Sequence, residues 1–328
     1  MGRWSATIAL LLLSGCPPTR LSAQDQPINS GALFLLLPVG AQSVGTGQTA
    51  AALDGRGEAV FLNPAGVGSL TSNEFALYTA RLAAGPTTAL TVFFPRRGVG
   101  VFGAGVYLVD YGETEVTDSL GTLGRASSRN VALLATYATQ LTGAFALGVT
   151  YKLVEFRVDC TGGCSTLPQG QGATHALDLG TQFSVGPDHA FRFGVAVRNL
   201  GFPLQVNNKA QADPLPTRLV VGALYRVLLR PVTGAPVGDR FDVRLAADLD
   251  SPWRETGSPD VRVGVDAGYR EVVRVRGGYA FLHQGLSGPS VGLGLATGSI
   301  GVDLAQMFLT GTDLLVANPT FLSFRVVF

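Results

Sequence analysis

The chain of 328 residues carries a formal net charge of +1, and only 14% of its residues are charged, against about 25% in an ordinary soluble domain. That balance leaves no electrostatic footprint for nucleic acid, so an acidic polymer is not an expected partner. With 46% hydrophobic residues and 43 glycines that keep no fixed period, neither a disordered nor a collagen-like chain fits.

At the N-terminus Arg3 stands before the apolar run Ala6 to Leu13, which is too short to cross a bilayer as a helix and reads as an export signal. Two processing sites compete: cleavage after Ala23, giving a signal peptide over residues 1–23, and a lipobox-like LSGC ending at Cys16, which would leave a lipidated cysteine. The longest later apolar run, Ala32 to Val39, is interrupted by Pro38 and falls far short of the roughly 20 residues a spanning helix needs.

Residues 24–72 form the next unit. Gly40 to Gly66 is dominated by small residues and lacks an aliphatic and aromatic face for lipid, yet it retains enough Val, Leu and Phe to pack. The expectation is a hatch folded into the lumen of whatever follows, with a flexible linker as the alternative for the segment and a surface turn leading into the first strand as the alternative for NPAG. Asn63 and Pro64 mark a turn, and Gly66 is read as a position needing φ > 0.

Residues 73–328 repeat one pattern, stretches of about ten residues that alternate apolar with small or polar. In FDVRLAADLD, Phe241, Val243, Leu245, Ala247 and Leu249 share one face, and Asp242, Arg244, Asp248 and Asp250 the other. The pattern predicts strands at about 73–82, 87–95, 98–109, 129–140, 144–158, 173–185, 190–200, 216–228, 239–250, 261–270, 272–281, 289–297, 299–307 and 319–328. Between two of them, Cys160 and Cys164 flank a glycine pair in DCTGGCS, which favours a loop disulfide in an exported chain over a zinc pair without further ligands nearby.

Which face meets water decides the class. The polar face is rich in Gly and Ala and mixes charges of both signs, as a crowded lumen would. On the apolar face Phe145, Phe191 and Phe241 follow tight turns, Tyr137, Phe183, Tyr225 and Tyr269 precede them, and Phe328 ends the chain, so all eight fall at one rim as an aromatic girdle. The reading is an all-β transmembrane barrel of about 14 antiparallel strands in the outer membrane of a Gram-negative-type bacterium, with lipid outside and tight turns in the periplasm. The last strand must close on the first, since lipid tolerates no open edge. Its outward residues Phe324, Val326 and Phe328 resemble the signal read by the barrel-assembly machinery.

Enzyme motifs fail on context. GVGVFG from Gly98 and GPSVG from Gly288 match nucleotide-binding and nucleophile-elbow spacings, but both lie in strand patterns with no helix to follow. No catalytic residue, cofactor or metal is expected. The lumenal charges Asp242, Arg244, Asp248, Arg262, Asp266, Arg274 and Arg276 read as an ion-pair network between hatch and wall, with a selectivity filter as the rival.

One resemblance adds to this. FLLLPVGAQSVGTGQTAAAL, AVFLNPAGVGSL, VRNLG, VRGGYAF and the aromatic end together resemble the PorV/PorQ family of outer-membrane barrels, relatives of FadL-type transporters. VGTGQTAAAL departs from the methionine-glycine run expected there. The resemblance implies a cargo-binding or shuttle component of a type IX-like secretion system, with secreted cargo proteins and other secretion components as partners. The alternative is a FadL-like passive transporter of hydrophobic small molecules.

Overall fold

The computed structural model describes residues 30–118, 121–166, 170–206, 212–229, 241–253, 259–270, 272–283, 287–309 and 318–328. Both processing sites considered for the N-terminus, at Cys16 and Ala23, lie outside the described residues.

Fourteen antiparallel strands close into a barrel, each paired with its chain neighbours and the last with the first. They are β1 (Glu74–Leu82), β2 (Gly85–Arg96), β3 (Gly100–Asp118), β4 (Gly121–Gln140), β5 (Phe145–Gly162), β6 (Gly170–Val185) and β7 (Phe191–Gly201). The second half comprises β8 (Arg218–Leu229), β9 (Phe241–Pro252), β10 (Asp260–Tyr269), β11 (Val273–Phe281), β12 (Gly288–Thr297), β13 (Ile300–Met307) and β14 (Thr320–Val327). Closure runs through the β1–β14 ladder, Glu74 opposite Val327 to Arg81 opposite Thr320. The N–H of Phe328 donates to the Asn73 carbonyl at 3.0 Å, so the chain end is sewn to the strand start. No edge remains to meet lipid.

The faces are inverted relative to a soluble barrel. Leu245, Leu249, Val263, Val275, Leu293 and Leu304 point outward and are exposed, while Asp242, Asp248, Asp266 and Arg276 are buried inside. The aromatic girdle is continuous in register: Phe145 faces Phe183, Phe191 stacks on Tyr225 at 4.3 Å and Phe241 meets Tyr269 at 4.7 Å. An apolar outside with an aromatic rim is the surface a bilayer requires, and the protein resides in the outer membrane.

Strands β3 to β6 are 19, 20, 18 and 16 residues long, well beyond the 9–11 residues or so that span a bilayer. Their extra turns of sheet project past the membrane on the side opposite the aromatic rim. Cys160, near the end of β5, and Cys164, in the short turn that follows, are disulfide-bonded there, with Cα atoms 5.8 Å apart.

Residues 31–70 lie inside the barrel as a chain of short turns around one helical turn, α1 (Ala41–Gly45). This segment enters near the extracellular end, where the Gly31 N–H donates to Pro214 at 2.9 Å in the β7–β8 connection. It leaves at the periplasmic end to begin β1.

Candidate functional site

The lumen is the candidate site, and the hatch divides it. On one side the hatch residues Phe34, Leu35, Val60, Phe61 and Val67 pack on Tyr78, Phe93, Tyr107, Leu134 and Val154 of β1 to β5. Phe61 meets the rings of Tyr78 and Tyr107 at 5.6 and 6.2 Å, and Phe34 meets Tyr107 at 5.8 Å. Leu204 and Leu215 of the β7–β8 connection join the same cluster, so an inward-folded extracellular loop covers its top. Within this apolar half the buried Tyr107 hydroxyl has no hydrogen-bond partner.

The opposite wall is charged. Arg276, fully buried on β11, lies between Asp266 at 3.3 Å and Asp303 at 2.6 Å. Arg274 reaches Asp242 and Asp266, both at 2.8 Å. Arg262 pairs with Asp250 at 3.0 Å, and Arg218 bridges Asp250 and Asp260. Burying such groups costs several kcal/mol per ion, so each must find partners in the ladder. The strand register supplies them: Asp266 sits directly opposite Arg244 on β9 and Arg276 on β11.

Of the seven charges singled out in the sequence, Asp242, Arg244, Arg262, Asp266, Arg274 and Arg276 belong to this network. Asp248 does something different. Its Oδ2 accepts the backbone N–H groups of Ala50 and Ala51 at 2.7 and 2.8 Å, pinning the hatch to β9. Ser290, the serine of GPSVG, likewise accepts the Gly47 N–H at 3.1 Å. Asp303 escaped the sequence reading although IGVDLAQM alternates clearly, with Val302 and Leu304 exposed and Asp303 buried.

Glu58 and Glu74 hold the middle of the hatch, the first to α1 and the second to β1. Glu74 accepts the Gly57 N–H at 2.7 Å, and Glu58 accepts the Ser43 N–H at 2.6 Å. Glu58 belongs to the hatch and crosses no membrane. Burial pushes its carboxyl up to about 7, opposed by the Ser43 hydrogen bonds.

The turn at Asn63 and Pro64 is a lock. The fully buried Asn63 amide donates to the Ala51 carbonyl at 2.6 Å and the Thr181 carbonyl at 3.1 Å, while its Oδ1 caps the Ala65 N–H. Gly66 does not fit its expected reason. It is absent from the residues with positive φ; a Cβ there would stand 2.1 Å from the Leu53 carbonyl oxygen, so close approach, not backbone handedness, demands glycine.

The same explanation extends to the wall. A Cβ at Gly264 would meet the Thr46 carbonyl oxygen at 2.2 Å, at Gly278 the Gly47 nitrogen at 2.1 Å, and at Gly194 the Ala51 carbonyl oxygen at 1.8 Å. On the far wall Gly148 and Gly180 receive Pro64 and Asn63 in the same way. Bare backbone on four strands therefore forms a seat for the hatch main chain, and Gly180 on a fifth makes room for the Asn63 side chain. Packing is close: a cavity between the hatch and β8 to β10 holds about 20 Å³, room for about one water.

No protein-family model matches the chain, and no curated protein sequence matches it. Solved structures do. The crystal structure of the P. putida toluene transporter TodX aligns over 88% of this chain and 98% of its own, at TM-score 0.55 and 13% identity. A second TodX crystal structure covers 87% and 95%, at TM-score 0.53 and 12% identity. A TodX deltaS2S3 mutant, described as a monoaromatic hydrocarbon channel, covers 88% and 97%, at TM-score 0.52 and 14% identity. At such identities the likeness concerns the fold, a hollow outer-membrane barrel.

Proposed function

We propose that this barrel is a passive transporter of hydrophobic small molecules across the outer membrane. The observation that carries the reading is the apolar half of the lumen, walled by Tyr78, Phe93, Tyr107, Leu134 and Val154 beneath an inward-folded loop. The hatch side chains Phe34 and Phe61 fill this half; once they move aside, the lining they leave, apolar with a polar group in the Tyr107 hydroxyl, suits small uncharged ligands. Support comes from the shared fold of TodX, described as a toluene transporter. Passage requires the aromatic contacts of Phe34 and Phe61 to yield while the hatch main chain stays seated at its glycine and carboxylate contacts. Neither the fold neighbours, described as channels and transporters, nor the context of the glycine motifs supports an enzyme.

A second reading draws on the resemblance to PorV/PorQ and on two features of the barrel. The lumen is filled by the hatch, and β3 to β6 extend beyond the bilayer as a sheet that a protein cargo could engage. Uptake of a radiolabelled monoaromatic compound by cells expressing the barrel separates the two. The transporter reading expects uptake above vector control and its loss in Leu134→Glu, which places a charge in the apolar half. Absence of uptake, together with secreted protein retained on the extended sheet, would favour the secretion reading.

A further inference from the structure

At the periplasmic mouth the lumen widens into a cavity of about 460 Å³. Six arginines line it: Arg56 from the hatch and Arg192, Arg226, Arg244, Arg274 and Arg325 from the wall. Their carboxylate partners are oversubscribed. Asp242 alone serves Arg226 at 3.8 Å, Arg244 at 3.0 Å and Arg274 at 2.8 Å. Asp266 serves Arg274 and Arg276, and Asp303 serves Arg276 and Arg56. Only Asp54 with Arg192 and Glu74 with Arg325 are matched one to one. Counting the groups these ion pairs connect, seven arginines face five carboxylates, and Glu58, whose charge also acts on Arg276, makes a sixth when ionised, so one to two positive charges are left over among the described residues. Residues 230–240, the β8–β9 connection, and Glu271 in the β10–β11 turn lie outside them and are not counted. The Nε atoms of Arg226 and Arg325 are buried yet lack a hydrogen-bond partner.

An uncompensated positive excess in a walled cavity is unfavourable unless an anion completes it. Guanidinium groups converging from several strands match the tetrahedral oxygens of a phosphate, which takes forked hydrogen bonds from several directions. We propose that this cavity is a binding site for a phosphate-class dianion that enters from the periplasm. The volume exceeds that of inorganic phosphate and falls within the range of small-molecule sites, roughly 300–1,000 Å³, which leaves space for a phosphorylated organic group. The barrel wall separates the cavity from the lipid, so the ligand is a soluble solute and not a headgroup. Because Gly55 and Arg56 belong to the hatch and the other arginines to the wall, the bound anion bridges the two and holds the hatch closed at its periplasmic end. This inference rests on the charge count and geometry of the mouth and stands whichever molecule the apolar half carries.

Inorganic phosphate, a dianion at about pH 8, is the probe. Calorimetric titration of the full barrel in detergent, against chloride at matched ionic strength, should give saturable binding, and the melting temperature should rise with ligand. The double variant Arg226→Gln with Arg244→Gln leaves Asp242 paired to Arg274, so the barrel should still fold, which heat-modifiable gel migration checks. Its affinity should fall at least about tenfold. Arg96→Gln, at an exposed turn away from the cavity, should bind as the unaltered protein does. Affinities measured in nanodiscs of anionic and zwitterionic lipid should agree, since a soluble ligand does not compete with headgroups. No saturable heat, or equal affinity in the double variant, overturns the site. Competition by anionic lipid overturns the soluble ligand.

Discussion

Across the hatch the two walls of the lumen differ. β1 to β5 present Tyr78, Phe93, Tyr107, Leu134 and Val154, whereas β9 to β11 present Asp242, Arg244, Asp248, Asp250, Arg262, Asp266, Arg274 and Arg276. The apolar wall meets hatch side chains through ring contacts at 5.6 to 6.2 Å, worth only about 0.5–1.5 kcal/mol each beyond their burial. The charged side, with its glycine seats and the Asp248 clamp, meets the hatch main chain through short hydrogen bonds that lose their worth when geometry slips. The contrast concentrates retention on the charged side, supplemented by Glu74 on β1, Gly148 on β5 and the Asn63 lock on β6, and leaves the ring contacts of Phe34 and Phe61 as the part that can yield.

Filling a seat on the retaining wall should do the most damage. Gly278→Leu drives a side chain into Gly47, and with backbone on both sides the cost should reach or pass the roughly 3 kcal/mol upper range of ordinary overpacking. Heat-modifiable gel migration and protease sensitivity of the hatch report it. Gly264 should behave likewise, since the Thr46 carbonyl occupies the space a side chain would need.

Leu245→Arg tests the outside instead. Leu245 is 48% exposed at mid-strand on β9, and a charge on the lipid face should cost about 2–4 kcal/mol in a lipid-based folding titration. Normal stability there would mean that this surface does not meet lipid.

The hatch also has a pH dependence. Glu58 is raised from 4.5 to about 7, so its contribution is fully present below pH 4.5, falls as the unfolded chain ionises first, and is lost by about pH 7. The loss is at most about 3 kcal/mol, read as hatch proteolysis increasing from pH 4.5 to 7. Glu58→Gln should flatten that profile, and an unchanged profile would exclude Glu58 as its source. Asp248→Ala, leaving the Ala50 and Ala51 N–H groups without their acceptor, should cost about 1–3 kcal/mol. The increased hydrogen exchange should be confined to the hatch, with the Phe34 and Phe61 contacts kept.

Much of this architecture was legible because strands in a bilayer must alternate. Fourteen strand positions, the outward set on β9 and the aromatic rim all follow from a period of two. Legibility stopped where the environment became uniform. Beyond the membrane β3 and β4 run through GETEVTD and GTLGRASS, where water wets both faces and no alternation is needed, so the strands end early in a periodicity reading. The seats at Gly194, Gly264 and Gly278 were invisible for another reason. A glycine announces that something approaches but not what, and the partner lies far along the chain. Asp248 shows the limit for charges, since alternation places a carboxylate inside without telling whether it faces an arginine or a backbone N–H.

Planar-bilayer conductance tests the plugged lumen most directly. The intact barrel should pass little ionic current, because the hatch fills the space between its two walls, while deletion of residues 31–68 should open a large, steady conductance. Large conductance in the intact protein would contradict the account, as would a deletion variant that folds as a barrel and remains closed.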